Sequence, residues 1–263
     1  SEFVSADELA AALAGLAEVY FRAGRYPEAE PLLARVYEIR RARLPPGDPA
    51  IADALEELGL NQFDQGNYER AEIYLRDALA MRRVSLGDAP HPDVAENLNN
   101  LALLLMESSR FEESERLFQE AMTMNSALYG AVHPDVAAGL NNLGLLYRSQ
   151  GLDAYQNRDF PKAIERFRKA AYYGDKASQA IVGEMLWSGV GTEADRVMAL
   201  VWMDLAAERG YPRFVSTRPA ARTSAPRASS SSRVRSPRSR TISPSRWLRS
   251  KRFGYTSTPR ARR

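Results

Sequence analysis

The sequence contains no cysteine among its 263 residues, and this absence removes several classes of function at once. Without thiols there are no disulfide bonds, no cysteine nucleophile and no metal site built on cysteine. There is also no apolar run near the ~18 residues that a membrane-spanning helix needs. The apolar stretch near the start is not preceded by a basic segment, so no secretory signal is visible. We therefore expect a chain without a membrane span that works in the cytoplasm.

Acidic residues are missing from one end of the chain. The last 48 residues, 216–263, hold 14 of the 36 basic residues and none of the 33 acidic ones. Residues 1–215 therefore carry 22 basic against 33 acidic residues, a net charge of −11. The sequence pI of about 9.1 is thus an average over two unlike parts. Only the basic end favours nucleic acid or an anionic membrane as a partner.

Catalytic and metal-binding constellations are lacking as well. Histidine occurs only at His91 and His133, in His-Pro loops without cysteine or acidic ligands at a recognised metal spacing. The glycine turn at residues 189–191 has neither the preceding strand nor the following Lys-Ser/Thr of a phosphate loop. No nucleophile, base and orienting acid can be assembled from the sequence. We expect no enzyme activity, no metal and no cofactor.

What the chain does contain is a repeat of 42–43 residues. The segment HPDVA at residues 91–95 recurs at residues 133–137, and LNNLA at residues 98–102 recurs as LNNLG at residues 140–144. The same register runs back to the start of the chain, through Leu58-Gly59 and Leu16-Ala17. A small residue follows each motif in step, at Gly24, Gly66, Ser109 and Gly151. Self-similarity at a fixed period indicates a repeat architecture.

Each repeat is typical of two amphipathic helices joined by a tight turn. In the third repeat, Val94, Leu98, Leu101 and Leu105 recur at helical spacing. The first helices are predicted to begin at a proline behind a capping residue: Asp48-Pro49, His91-Pro92 and His133-Pro134. A lone helical hairpin cannot bury its apolar face, so the pairs are expected to stack.

These motifs resemble the tetratricopeptide repeat, in the 42-residue form found in kinesin light chains. The resemblance assigns residues 1–150 to such repeats, with Gln62 and Leu105 standing where Tyr20 and Tyr147 supply the usual aromatic residue. It implies an all-α fold, a right-handed superhelical solenoid of antiparallel helix pairs. It also implies a scaffold for protein–protein interaction rather than an enzyme.

The spacing changes after the fourth first helix. The next aromatic residue in register, Phe160, arrives seven residues late. Seven residues are nearly two helical turns, so a lengthened helix would keep its buried face within about 20°. Beyond this point, residues 151–215 resemble a Sel1-like repeat. The glycine turn at residues 189–191 and Trp202 carry that resemblance. That resemblance implies a further helix pair of the same architecture.

The basic end differs in composition from everything before it. Twelve of the residues from 216 to 263 are serine and five are proline, with no helical period, which predicts a disordered tail. Three origins stay open. The first is a frame-shifted and therefore non-native end, and the second is an inert solvated tail. The third is a functional arm in which Trp247, Phe253 and Tyr255, among basic residues, stack on bases.

The resemblance also implies where a ligand binds, because the first helix of each pair lines the concave groove in this family. Carried over residue by residue, the ligand-facing positions are Asp53, Glu56, Leu60 and Phe63, then Glu96, Asn99, Leu103 and Met106, then Asn141, Leu145 and Arg148. Asn99 and Asn141 offer the donor and acceptor that an extended peptide backbone requires, or else they bond helix to helix. The apolar positions form pockets, or else pack one repeat on the next.

The charge of this groove predicts the kind of ligand. The resemblance implies six further groove positions: Glu18, Phe21, Arg22, Asp64, Glu107 and Ser149. The groove positions then include six acidic and two basic residues. A concave surface of one charge sign attracts ligands of the opposite sign. We expect a scaffold that binds a basic and apolar peptide or protein segment. The alternative is an adaptor that associates with nucleic acid or anionic membrane through the tail. The oligomeric state stays open.

Overall fold

The computed structural model of the chain describes residues 5–211, which form a series of antiparallel helical hairpins. The helices of this part are α1 (Ala6–Arg22), α2 (Tyr26–Arg43), α3 (Pro49–Asp64), α4 (Tyr68–Leu86), α5 (Pro92–Glu107), α6 (Phe111–Tyr129), α7 (Pro134–Gln156), α8 (Phe160–Tyr172), α9 (Lys176–Ser188) and α10 (Arg196–Glu208). Each odd-numbered helix packs against the helix that follows it, and each hairpin packs against the next. The predicted all-α, right-handed solenoid is confirmed.

Two of the predicted domain assignments are not tested by this fold. The basic segment of residues 216–263, predicted to be disordered, lies outside the described residues. The boundary predicted at residue 150 stays a prediction, because the chain up to Tyr211 forms one compact unit.

The first helices of three hairpins begin in the predicted way. A side chain before each leading proline accepts a hydrogen bond from the backbone N–H two residues further on. Asp48 accepts at 2.9 Å, and the Nδ1 atoms of His91 and His133 accept at 3.2 Å. The predicted capping role of both histidines is thereby confirmed, since an N-cap acceptor satisfies an otherwise unpaired N–H.

The turn inside each of the first four hairpins uses one residue in the left-handed region. Gly24 has φ +75°, Gly66 has φ +81° and Ser109 has φ +59°. In the fourth hairpin this residue is Arg158, with φ +61°, rather than Gly151, which is in step with the other three in the sequence. The insertion therefore precedes the turn and leaves Gly151 inside α7.

Gly151 has a packing role instead. A Cβ atom on it would lie 2.7 Å from the Phe167 ring on α8, and a Cβ on Gly59 would lie 2.8 Å from Cγ of Leu75 on α4. In both hairpins the glycine and its contact are 16 residues apart. The two glycines thus occupy equivalent places, where the paired helices approach too closely for a side chain.

The extra length of α7 displaces everything that follows. This helix has 23 residues, whereas α3 and α5 have 16, and the additional seven residues confirm the predicted lengthened helix. At 1.5 Å per residue, α8 packs about 10 Å further along its partner than α4 or α6 does. The last hairpins are therefore stepped relative to the first three.

Candidate functional site

The predicted groove positions all lie on first helices, and the structure divides them by exposure. Asp53 to Phe63 lie on α3, Glu96 to Met106 on α5, and Asn141 to Arg148 on α7. The exposed positions are Glu96 and Asn141. The partly buried positions are Asp53, Leu60, Asn99, Leu145 and Arg148. The buried positions are Glu56, Phe63, Leu103 and Met106.

Glu56 is the buried centre of a polar network that joins three helices. Nη2 of Arg82, on α4, donates to Oε2 of Glu56 at 2.8 Å and to Oδ1 of Asp53 at 2.7 Å. Nδ2 of Asn100, on α5, donates to the other carboxylate oxygen of Glu56 at 2.8 Å. A buried carboxylate requires such partners, because leaving it unpaired in a low-dielectric interior is costly.

The same network stabilises the positively charged form of Arg82. Burial alone would lower the pKa of its guanidinium, but the charge of Glu56 and the hydrogen bonds to Glu56 and Asp53 raise that pKa above its ordinary value. Arg82 therefore neutralises part of the acid that the sequence assigns to the groove. Sequence reasoning missed it because it lies on a second helix, where the family pattern places no ligand contacts.

The asparagines differ in the hydrogen bonds that they make within the protein. Oδ1 of Asn99 accepts a hydrogen bond from Nδ2 of the buried Asn142 at 2.6 Å, which links α5 to α7. Asn100 is committed to Glu56 in the same way. The Asn141 side chain is exposed. Of these four, Asn141 offers a ligand the most of its amide.

The apolar positions are mostly filled by packing. Phe63, Leu103 and Met106 are at most 7% exposed. Phe63 contacts Tyr68 with ring centroids 5.7 Å apart and belongs to the core cluster between α3 and α6. Leu60 and Leu145 are only partly buried. These two leucines therefore keep the most apolar surface available among the predicted positions.

Charged groups at both ends of the predicted groove are paired or desolvated. Glu18 forms an ion pair with Arg22 on α1. Nη1 of Arg148 lies 2.9 Å from Oδ2 of Asp175, the N-cap residue of α9. Partial desolvation raises the pKa of Glu107, the last residue of α5. The positive charge of Arg148 is thus already matched within the protein.

The extra turns of α7 add surface that is not among the predicted groove positions. Leu152 and Tyr155 lie on the extra turns of α7, one and four residues after Gly151. Leu60 and Phe63 have the same spacing from Gly59, so the two pairs are equivalent. The seven-residue shift in the sequence is the signal that could have identified them.

Residues 5–211 lack the features of two other kinds of site. No group of three or more histidine, aspartate or glutamate residues in that range is arranged to hold a metal ion. In the same range, none of the helices has the length and hydropathy needed to cross a membrane.

Comparison with known proteins agrees with the fold. The chain shares 32% identity over 78 residues with a clustered mitochondria protein homolog from Ajellomyces capsulatus (strain NAm1 / WU24). It shares 36% identity over 72 residues with nephrocystin-3 from Xenopus laevis. The two matches cover 29% and 27% of this chain, and the chain spans only 6% of the length of each of these curated relatives.

Solved structures show the same arrangement of helices. The kinesin-light-chain-like repeats from Podosopora anserina align with a TM-score of 0.56 and 18% identity, over 75% of this chain and 92% of theirs. BtubC (BKLC) from P. vanneervenii aligns with a TM-score of 0.55 and 22% identity, over 86% of this chain and 89% of its own.

The family itself is identified by its sequence profile. The tetratricopeptide repeat profile matches residues 8–83 and 93–171, which is more than half of the chain and includes α8. The Sel1-like character of the residues that follow stays a prediction. Folds of this kind are typical of protein–protein interaction scaffolds and are generally non-enzymatic. The profile match, the repeat register and the stacked hairpins together establish that the chain belongs to the tetratricopeptide repeat family.

Proposed function

We propose that this protein is a scaffold that binds an extended segment of a partner protein along its first helices, and that the segment is basic and apolar. The observation that carries the proposal is the excess of carboxylates on this face. Six acids occupy the predicted groove positions, and Arg82 adds a third base to Arg22 and Arg148. The face stays acidic after the correction.

The distribution of that charge supports a cationic partner. Arg82 is buried and Arg148 is paired with Asp175, so neither presents a strong positive centre to a ligand. Glu96 and Glu107 are exposed, although partial desolvation raises the pKa of the Glu107 carboxyl group. Fields of one sign on a concave surface raise the local concentration of oppositely charged segments.

Apolar contact and backbone recognition complete the proposed mode of binding. Leu60 and Leu145 offer partly exposed apolar surface, and Asn141 offers an exposed amide with a donor and an acceptor. A segment lying along the first helices would place apolar side chains on the leucines and its backbone near the amide. Specificity would come from the order of apolar and basic residues in the segment.

Fluorescence anisotropy with matched peptides tests the proposal. Labelled Lys/Arg-rich and Asp/Glu-rich peptides of equal apolar content are titrated against the chain at low and high salt. We expect the basic peptide to bind more tightly, and its affinity to fall as salt passes the ~0.15 M range where the Debye length is ~8 Å. Preference for the acidic peptide, or affinity independent of salt, would contradict the proposal.

A second function is favoured by composition alone. Residues 216–263 carry 14 basic residues and no acid, which suits an arm that contacts nucleic acid or anionic membrane. Deleting residues 216–263 separates the two functions. A scaffold acting through its first helices keeps its protein partner, whereas an adaptor acting through the basic segment loses its own.

A further inference from the structure

A pocket opens where the extra turns of α7 lie beside α9. Its volume is about 240 Å³, and Leu152 and Tyr155 of α7 form one wall. Ile181, Glu184 and Met185 of α9 contribute the other wall, with Phe167 of α8 between them. Leu152 and Tyr155 continue the stripe of Leu145 and Arg148 along α7 at helical spacing, so the pocket extends the predicted groove.

The step in the solenoid explains why this pocket is open. Leu152 and Tyr155 are 44% and 46% exposed, whereas Leu103 and Met106, at the equivalent places in α5, are 3% and 7% exposed. Helix α5, where these side chains are buried, contacts α3 on one side and α7 on the other. Ala154, between Leu152 and Tyr155 on α7, belongs instead to a core cluster with α8, α9 and α10, whereas the cluster of α3 to α6 includes no residue of α7.

Glu184 gives this apolar pocket its charge. Within the described part of the chain it is the one charged residue that lines the pocket. Desolvation alone raises the pKa of its carboxyl group, with no compensating cation among residues 5–211. The nearby Ser188 hydroxyl donates to the backbone carbonyl of Glu184 at 2.9 Å rather than to the carboxylate.

Such a group stands in contrast to the acids of the predicted groove. Glu56 is buried more deeply, yet Arg82 and Asn100 satisfy it. Partly desolvating a carboxylate without a cation beside it is unfavourable, so a bound cation would offset a cost that the folded protein already bears. The pocket is thus arranged for a positive charge at the end of an apolar group.

We propose that this pocket receives a long basic side chain of the bound segment, arginine in preference to lysine. Its volume lies below the ~300 Å³ at which pockets for small molecules begin, which suits one side chain. The stem would lie along Leu152, Ile181 and Met185, as long basic side chains do on apolar surfaces, with the guanidinium at Glu184.

Tyr155 accounts for the preference for arginine. Its ring is held by an edge contact with Phe160, with the centroids 5.2 Å apart, and it remains nearly half exposed at the pocket. A planar guanidinium stacks on such a ring more readily than a compact ammonium does. The inference rests on the proposed function, because it names one residue type that the bound segment must contain.

Methyl NMR of the full chain tests the pocket directly. The probes are Nα-acetyl-arginine methylamide and its neutral, nearly isosteric citrulline analogue. We expect the arginine probe to shift the methyl signals of Leu152, Ile181 and Met185 in a saturable way. The citrulline probe should bind about tenfold more weakly, because it lacks the charge that pairs with the carboxylate.

Two variants assign the effect to one carboxylate. Glu184→Gln should reduce binding of the arginine probe to the citrulline level. Glu112→Gln removes the same charge from an exposed position on α6 and should leave binding unchanged. Methyl signals elsewhere in the chain report whether each variant is folded. Equal binding of both probes, or unchanged binding in Glu184→Gln, would overturn the inference.

Peptide titrations separate an error in the arginine pocket from an error in the proposed function. If Lys/Arg-rich peptides bind the wild type and Glu184→Gln equally, the scaffold function stands and the arginine pocket is wrong. If those peptides fail to bind while the arginine probe binds at Glu184, the pocket is real and the proposed function is wrong.

Discussion

Arg82 determines how much of the acid on the first helices is available to a ligand. It is 3% exposed and bridges Asp53 and Glu56, so one side chain from a second helix satisfies two groove positions. An arginine can do this because its planar fork offers several donors in fixed directions. The sequence pattern of the family identifies the acids but not this partner, which is 26 residues from Glu56 in the chain.

Replacing Arg82 should destabilise the protein far more than replacing its neighbour. Arg82→Met leaves Glu56 buried without its cation, and breaking a buried pair in this way costs roughly 3–5 kcal/mol. Arg83 is exposed and pairs with Glu120 at 2.5 Å, so Arg83→Met should change the free energy of unfolding by about 1 kcal/mol or less. Urea unfolding of both variants measures the difference, and similar losses would show that the network does not stabilise the fold.

Replacing Asn99 and replacing Asn141 should have different effects, although the two residues occupy the same position in the repeat. Asn99→Ala leaves the buried Nδ2 of Asn142 without an acceptor, which should lower stability by roughly 1–3 kcal/mol. Asn141→Ala removes an exposed side chain and should leave stability within about 0.5 kcal/mol. If Asn141 contacts the ligand backbone, its replacement should weaken peptide binding by ~1 kcal/mol. Thermal melts beside peptide titrations check both, and a large melting shift in Asn141→Ala would contradict its assignment to the ligand.

For the helix α7, the sequence predicts the length but not the residue that forms the turn after it. Its lengthening by nearly two turns follows from the late arrival of Phe160, and the structure confirms it. Its turn residue does not follow, because glycine is the expected residue in the left-handed region and Gly151 stood in register. Arg158 adopts that conformation instead, and the close contact with Phe167 explains why a glycine is needed at 151.

Two helical glycines allow a matched test of that contact. Gly151→Ala would place a Cβ 2.7 Å from the Phe167 ring, and overpacking of this kind typically costs about 1–3 kcal/mol. Gly15 lies within α1 with no atom within 4 Å of an added Cβ, so Gly15→Ala should stabilise by roughly 0.5–1 kcal/mol. Opposite shifts in melting temperature are expected. A stabilising Gly151→Ala would mean that α7 and α8 can separate without loss.

At the scale of the whole molecule, the repeat register predicts the solenoid because each hairpin contacts mainly its neighbours. Caps, turns and the face of each helix are local properties, and the sequence predicts most of them. The burial of Phe63, Leu103 and Met106 is not local, because it depends on how closely adjacent hairpins stack. The pocket beside α9 also depends on stacking, since it exists only where the step interrupts the regular arrangement. The sequence therefore predicts which helices carry the proposed binding positions more readily than it predicts which of those side chains stay exposed.

Titration with one ligand can compare the first helices of the solenoid with its second helices as the binding surface. Leu60 and Leu145 lie on first helices, whereas Ile73 and Val84 lie on α4 and are 60% and 85% exposed. The variants Leu60→Lys/Leu145→Lys and Ile73→Lys/Val84→Lys add the same charge and are titrated with the labelled Lys/Arg-rich peptide. We predict that the first pair weakens binding about tenfold or more, since it removes apolar contact and repels the ligand, and that the second pair binds nearly as the wild type does. Equal loss in both pairs, or wild-type affinity in the first, would contradict the claim that the first helices bind the partner.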